Sequence, residues 1–277
     1  LLGVYGFFLQ ESRFYPSWDF ECYYAAAQGL HADIDIYERS EVEPFNQTIG
    51  LKVTNYLYTP FLAGCIGLFK NLPIREVFYF FHLANYWTIA LIWISMLSIL
   101  RHLTADSGKK LGDGQMLALL LLVINPAVIQ TFIYHQINLI ALFFILISMR
   151  SFPRLSFLSA FCMMIAVHLK LSPAIFALAF LIMGAWRWLI WFGFWNLMLL
   201  IGWKLVYSMD VWLHFLEKVR QHPTWLFRNI SLDSLFFYTM NYLGFHSEFK
   251  ISILVLLAKA SVLLFFLALL FCTRKFW

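Results

Sequence analysis

The first side chain with chemical reach is Asp19, in the aromatic run Tyr15-Pro16-Ser17-Trp18-Asp19-Phe20-Glu21-Cys22-Tyr23-Tyr24-Ala25-Ala26-Ala27-Gln28-Gly29. A carboxylate placed beside a hydroxyl can take its proton as a general base. Pro16 and Ser17 signal a helix start and Gly29 a stop, so a short helix is expected at about 18–28, with Asp19, Tyr23 and Ala27 on one face. Its aromatics suit a helix lying along a membrane surface. Asp19 falls in the first turn, where the helix dipole favours the ionised form, although an Asp there also serves as a plain helix cap. Lys170, in His168-Leu169-Lys170-Leu171-Ser172-Pro173, stands inside an apolar stretch. An ammonium there is costly unless paired or snorkelling to an interface. Gln136 and Asn138, in His135-Gln136-Ile137-Asn138, put amides at the mouth of another apolar run, where they face a cavity or glue helices together. Arg220, His222 and Arg228 form a cationic group able to hold a phosphate or meet lipid headgroups.

The elements that must position these residues are transmembrane. Of 277 residues 62% are hydrophobic and 13% charged, with a mean hydropathy of +0.74. A soluble domain carries about 25% charged residues. The long continuous apolar runs exclude a β-barrel, disorder and a nucleic-acid domain. The aromatics (30 Phe, 13 Tyr and 11 Trp) suit interfacial belts. Apolar runs lie at 57–69, 76–100, 115–130, 136–149, 156–184, 188–207 and 251–272, the last being the clearest span. The expected fold is therefore all-α: a polytopic transmembrane bundle whose extracytoplasmic loops carry short interfacial helices. It forms one domain over 1–277. The opening run Leu1–Leu9 is too short to span and is expected to be the outer end of a truncated first helix.

Residues 11–55 hold eight acids and three bases and are expected outside. Arg101, Lys109 and Lys110, then Arg150 and Arg154, then Arg187, then Arg274 and Lys275 interrupt the apolar runs. The positive-inside rule puts all of these in the cytoplasm if 57–69 dips without crossing and 156–184 is a pair broken around 170–173. In the other arrangement 57–69 and 156–184 each cross once. Both place 11–55 and 208–250 on the same outer side, where they are expected to roof a cavity together.

Cys22, Cys65, Cys162 and Cys272 have no paired spacing and support neither disulfides nor zinc. Asp33-Ile34-Asp35 has the metal-binding Asp-x-Asp form but lacks an α/β context. No glycine-rich phosphate loop, His-Glu-x-x-His or Gly-x-Ser-x-Gly is found. Asn229-Ile230-Ser231 matches a glycan-acceptor sequon.

In order along the chain, these pieces resemble the family-87 membrane glycosyltransferases of the GT-C class. The features are the early Asp19 with Tyr23-Tyr24-Ala25-Ala26, the aromatic-proline entry Tyr56-Leu57-Tyr58-Thr59-Pro60, Gln136-Ile137-Asn138, Lys170-Leu171-Ser172-Pro173 and Asn229-Ile230-Ser231-Leu232. Thr59 stands where the family has a first proline, His135 where it has glycine, and Ile230 where it has glutamine. The chain is also shorter than the family pattern.

The resemblance implies inverting transfer of a hexose, often mannose, from a polyprenyl-phosphate sugar to a lipid or glycan acceptor at the extracytoplasmic face of the plasma membrane. Asp19 would be the base, and Lys170, His222 and Arg228 would receive the donor phosphate. Tyr23, Tyr58, Gln136, Asn138, Asn229 and Ser231 would line the substrate pocket. No metal, cofactor or nucleic acid is implied. A departing lipid phosphate is a weak base that needs positive charge rather than a general acid. The competing class is a transporter or lipid flippase, which broken helices also suit, but which has no need of a lone carboxylate beside an acceptor-sized groove. A purely structural subunit would leave Lys170 unexplained.

Overall fold

The computed structural model of the chain describes residues 18–53, 56–104, 125–152 and 154–221. The run at 251–272, most of 115–130 and residues 1–17 lie outside the described residues. Every regular element among the described residues is a helix.

Helix α1 (Trp18–His31) contains Asp19 and Glu21 in its first turn. It begins where expected but continues past Gly29, because that glycine is a contact point rather than a stop. A Cβ there would lie 3.0 Å from Ile36 Cγ2 on the returning chain. The stop comes from Asp33, whose φ of 58° turns the chain left-handed, while the Ile34 N–H reaches back to the Gly29 carbonyl at 3.0 Å. This is a Schellman-type ending. Asp33 is thereby a helix terminator. Its partner in the Asp-x-Asp pattern, Asp35, accepts the Tyr37 N–H at 3.0 Å in the next turn. Two aromatics of α1 do not lie at its surface: Phe20 and Tyr23 are fully buried in protein, while Tyr24 is partly exposed.

Helix α2 (Arg39–Thr48) follows, then α3 (Pro60–Gly67), with Pro60 at its first turn, where a missing N–H costs nothing. The eight residues of α3 are by themselves too short to span. Its flank runs along α1, with the Tyr24 hydroxyl donating to the Leu72 carbonyl at 3.0 Å and Gln28 Nε2 to the Lys70 carbonyl at 3.1 Å.

Helix α4 (Ile74–Thr104) holds 25 residues, Ile74–Ser98, long and apolar enough to cross a membrane, the one such helix among the described residues. The expected polytopic bundle is thus seen only in its helical character. The remaining helices are α5 (Pro126–Ile133), α6 (Asn138–Ser151), α7 (Ser156–Leu169), α8 (Ala174–Ile182), α9 (Trp186–Lys204) and α10 (Asp210–Gln221). The run 156–184 is two helices broken at 170–173, where Pro173 disfavours a helical conformation for its predecessor.

Helices α4, α6, α7 and α9 pack in that succession, with α1 and α3 laid against α4 and α7. Polar pins hold the apolar faces in register. Ser159 Oγ donates to the Ser148 carbonyl at 2.7 Å, and Trp188 Nε1 donates to Ser159 Oγ at 2.9 Å. Hydrogen bonds of this kind bind helices whose surfaces are otherwise alike in apolarity.

At the join of α3 and α9, a Cβ on Gly64 would sit 2.8 Å from Trp203 Cζ3. That ring is buried and held by its own bond from Nε1 to the Ser208 carbonyl at 3.1 Å. Gly64→Ala should therefore destabilise the protein by about 1–3 kcal/mol. Gly202→Ala, where a Cβ meets nothing within 4 Å, should leave thermal unfolding in detergent unchanged or slightly raised.

Candidate active site

Four helix ends meet at one end of the packed helices: the start of α1, the entry to α3, the start of α6 and the end of α7. Asp19 lies within the first turn of α1 rather than at its cap. Its Oδ2 accepts from Gln136 Nε2 at 2.7 Å, across 117 residues of sequence. Gln136 Oε1 in turn accepts from Asn138 Nδ2 at 2.6 Å, and Asn138 Oδ1 accepts from Lys170 Nζ at 2.5 Å. A weaker bond runs from Asn138 Nδ2 to Thr131 Oγ1 at 3.3 Å. Sequence reasoning missed Thr131, whose only signal is being polar beside an apolar run.

Local backbone explains why these side chains converge. After α5 the chain reverses at His135, whose φ of 51° is in the left-handed region. The Gln136 N–H then bonds back to the Thr131 carbonyl at 3.0 Å. The reversal aims Gln136 and Asn138 at α1. Lys170 leaves α7 in an extended conformation, φ −156° and ψ 132°, which carries its side chain off the helix surface and into the protein, as the cost of an unpaired ammonium predicts.

Thr59 and Tyr58 enter from the other side. The Thr59 hydroxyl donates to the His168 carbonyl, tying the start of α3 to the end of α7. The Tyr58 ring stands edge-on to Tyr23 with centroids 4.8 Å apart. Tyr58 is half-buried, whereas Tyr23 has no exposed surface and stands behind it. Burial, then the neighbouring Tyr58 phenol and the Asp19 charge, hold the Tyr23 phenol well above its usual range.

Burial is also the largest influence on Asp19 and raises its carboxyl above the ordinary 3.8, while the Gln136 bond and the Lys170 charge pull it back. His222, Arg228, Asn229 and Ser231 lie outside the described residues. Arg220 is exposed on α10.

The described parts of the two polar segments, 18–53 and 208–221, pack together. His214 Nδ1 meets Asp35 Oδ2 at 2.6 Å. Tyr207 and His31 are hydrogen-bonded at 3.2 Å, and the Tyr37 and Phe215 rings lie 5.6 Å apart. Between the segments is an open polar cavity of about 480 Å³, lined by Asp33, Asp35, Lys204, Tyr207, Asp210 and His214 among others.

The raised Asp19 carboxyl has a sign in stability. A group whose folded value is raised contributes fully below its unfolded value, and that contribution is lost as pH rises through the folded value. Asp19→Asn keeps an acceptor for Gln136 and removes the ionisation. Its melting temperature should exceed the parent's at pH 7, with the difference shrinking as pH falls towards 3.8.

Comparison with known proteins supplies the remaining finding. The model of glycosyltransferase family 87 matches residues 56–276, which include Tyr58, Gln136, Asn138 and Lys170 and begin after Asp19 and Tyr23. No curated protein and no solved structure matches the chain. With most of its length matched, an all-helical build and a helix apt to cross a membrane, this chain belongs to glycosyltransferase family 87.

Proposed function

We propose that this glycosyltransferase moves a hexose, mannose in the first instance, from a polyprenyl-phosphate sugar to a lipid or glycan acceptor, with inversion and with Asp19 as general base. One observation carries the reading. A half-buried carboxylate and an ammonium stand at one end of the packed helices, joined through two amides rather than by direct contact. In the reaction the acceptor oxygen attacks the anomeric carbon while its proton passes to Asp19. The bond from that carbon to the phosphate oxygen breaks, and its electron pair leaves with the polyprenyl phosphate. Lys170 is suited to receive that charge, and preorganised positive charge at a leaving group is a large term in transfer reactions. His222 and Arg228 are further candidates by sequence. Tyr58 is suited to line the sugar pocket, with Tyr23 backing it. Asn229 and Ser231 remain candidates for the same pocket. Membership of a transferase family removes the reason for a transporter reading.

The contacts also favour one membrane arrangement, that of a multi-pass plasma-membrane protein with all basic interruptions in the cytoplasm. There the turns at 131–138 and 170–173 face the same outer side as 11–55, so the bonds among Asp19, Gln136, Asn138 and Lys170 join neighbours. In the other arrangement Gln136 would be separated from Asp19 by a hydrocarbon layer about 30 Å thick. In a cysteine-free background, Glu41→Cys and Ser172→Cys should both react with a membrane-impermeant maleimide on intact cells, and Arg150→Cys should not. Protection of Ser172→Cys with labelling of Glu41→Cys would refute this arrangement.

The chemistry is tested by turnover of a polyprenyl-phosphate-mannose donor. Asp19→Asn should lower it by about 10²–10⁴-fold, the usual worth of general-base catalysis. Glu21→Gln, two residues on and bonded to none of the described residues, should stay near the parent rate. Full activity in Asp19→Asn would sink the base assignment.

A further inference from the structure

The hydrogen-bond chain from Lys170 to Asp19 has a single polarity, set by its ends. An ammonium can only donate and an ionised carboxylate can only accept. Asn138 must therefore present Oδ1 to Lys170 and Nδ2 to Gln136, and Gln136 must present Oε1 to Asn138 and Nε2 to Asp19, as found. Both amides are held from behind. The Gln136 N–H is bonded to the Thr131 carbonyl, and Asn138 is the first residue of α6. His135, fully buried, packs edge-on to Phe78 with centroids 4.6 Å apart.

Lys170 and Asp19 are opposite charges at the same helix ends, each felt by the other. Even so, among the described residues they form no direct ion pair. Without something between them, a lysine on a flexible stem would settle on the carboxylate. Resting on the transferase reading above, we infer that Gln136 and Asn138 are positioning residues: a two-amide spacer that keeps the Asp19 carboxylate and the Lys170 ammonium apart. The spacer uses one oxygen of Asp19 and one N–H of Lys170. The second carboxylate oxygen takes no bond from the described residues and is left for the acceptor's proton. Among the described residues two N–H groups of Lys170 take no partner and are suited to phosphate oxygens.

Among the described residues the groups that bear on Asp19 can be named. Cys22 and Tyr23 on α1 and Tyr58 ahead of α3 feel its charge. Glu21 stands on the same turn. Helix α4 meets α1 through Phe78 and Phe81 against Phe20; the titratable groups it carries over that stretch are Arg75, Glu76, Tyr79, His82 and Tyr86, with Arg101 and His102 at its far end, and the groups that act on the Asp19 carboxyl are Gln136 and Lys170. Lys170 is the cation whose charge bears on Asp19.

The test uses the full chain in detergent, with a polyprenyl monophosphate as probe and polyprenyl-phosphate mannose as donor. Asn138→Ala should let Lys170 close on Asp19. The acid limb of kcat/KM should then move down by about 1–3 pH units, the effect of an adjacent cation on a carboxylate. Binding of the monophosphate should weaken by about tenfold, within the usual range for coupled neighbours. Adding Asp19→Asn to Asn138→Ala should restore that binding, because the carboxylate that captures Lys170 is gone. The binding arm needs no turnover, and Asn138→Ser, which keeps a small polar group, serves if the alanine variant does not fold. An unmoved acid limb, or binding not restored in the double variant, overturns the spacer. If Asp19→Asn alone is inactive in such a case, the base assignment stands and only the spacer fails; if Asp19→Asn alone is fully active, the base assignment on which the spacer rests fails with it.

Discussion

A carboxylate set into the end of an apolar helix cluster keeps its charge only where something bonds it, because burying an unpaired charge is among the costliest things a fold can do. The bond from Gln136 to Asp19, 2.7 Å long, meets that need. Much else is arranged around it. Helix α1 must lie with its first turn against the start of α6, so the chain between α5 and α6 must reverse sharply. Helix α7 must end within reach of Asn138. The break at 170–173 is therefore a requirement of the site as much as a consequence of Pro173. It frees Lys170 from the helix while the aromatic cluster of Phe20, Tyr23, Phe78 and Phe81 holds α1 in place.

Two departures from the family pattern make sense in this setting. Glycine at position 135 would take the left-handed backbone freely. Histidine takes it at φ 51° and is wedged, buried, between Phe78 and His82. The strained turn is held by side-chain packing instead of by backbone freedom. At position 59 a proline could only shape the entry to α3. Threonine shapes it and also donates to the His168 carbonyl, a backbone acceptor at the last turn of α7.

Much of this could be read locally. Proline marked the start of α3 and the break after α7, and the apolar runs at 136–149 and 188–207 became α6 and α9. The Asp-x-Asp pattern was also legible as out of context, and its first aspartate proves to end a helix. Gly29 was misleading, because a glycine stop and a glycine contact look alike until the returning chain is seen against it. Aromatic residues in α1 pointed to a lipid interface, but Phe20 and Tyr23 are buried in protein, since composition does not say which surface an aromatic face meets.

By itself, the sequence determined the helical class, the membrane character, the family, and which polar side chains were too expensive to be idle. These depend on composition, on short-range periodicity and on the cost of charge in apolar surroundings, all properties of a stretch of chain. Only tertiary structure decided that Asp19 bonds Gln136, that Asn138 stands between Gln136 and Lys170, and that Asp35 pairs with His214. Partners 117 residues apart share no local pattern. Which amide reaches which charge depends on where helix ends come to rest, and that is set by the packing of every helix between them.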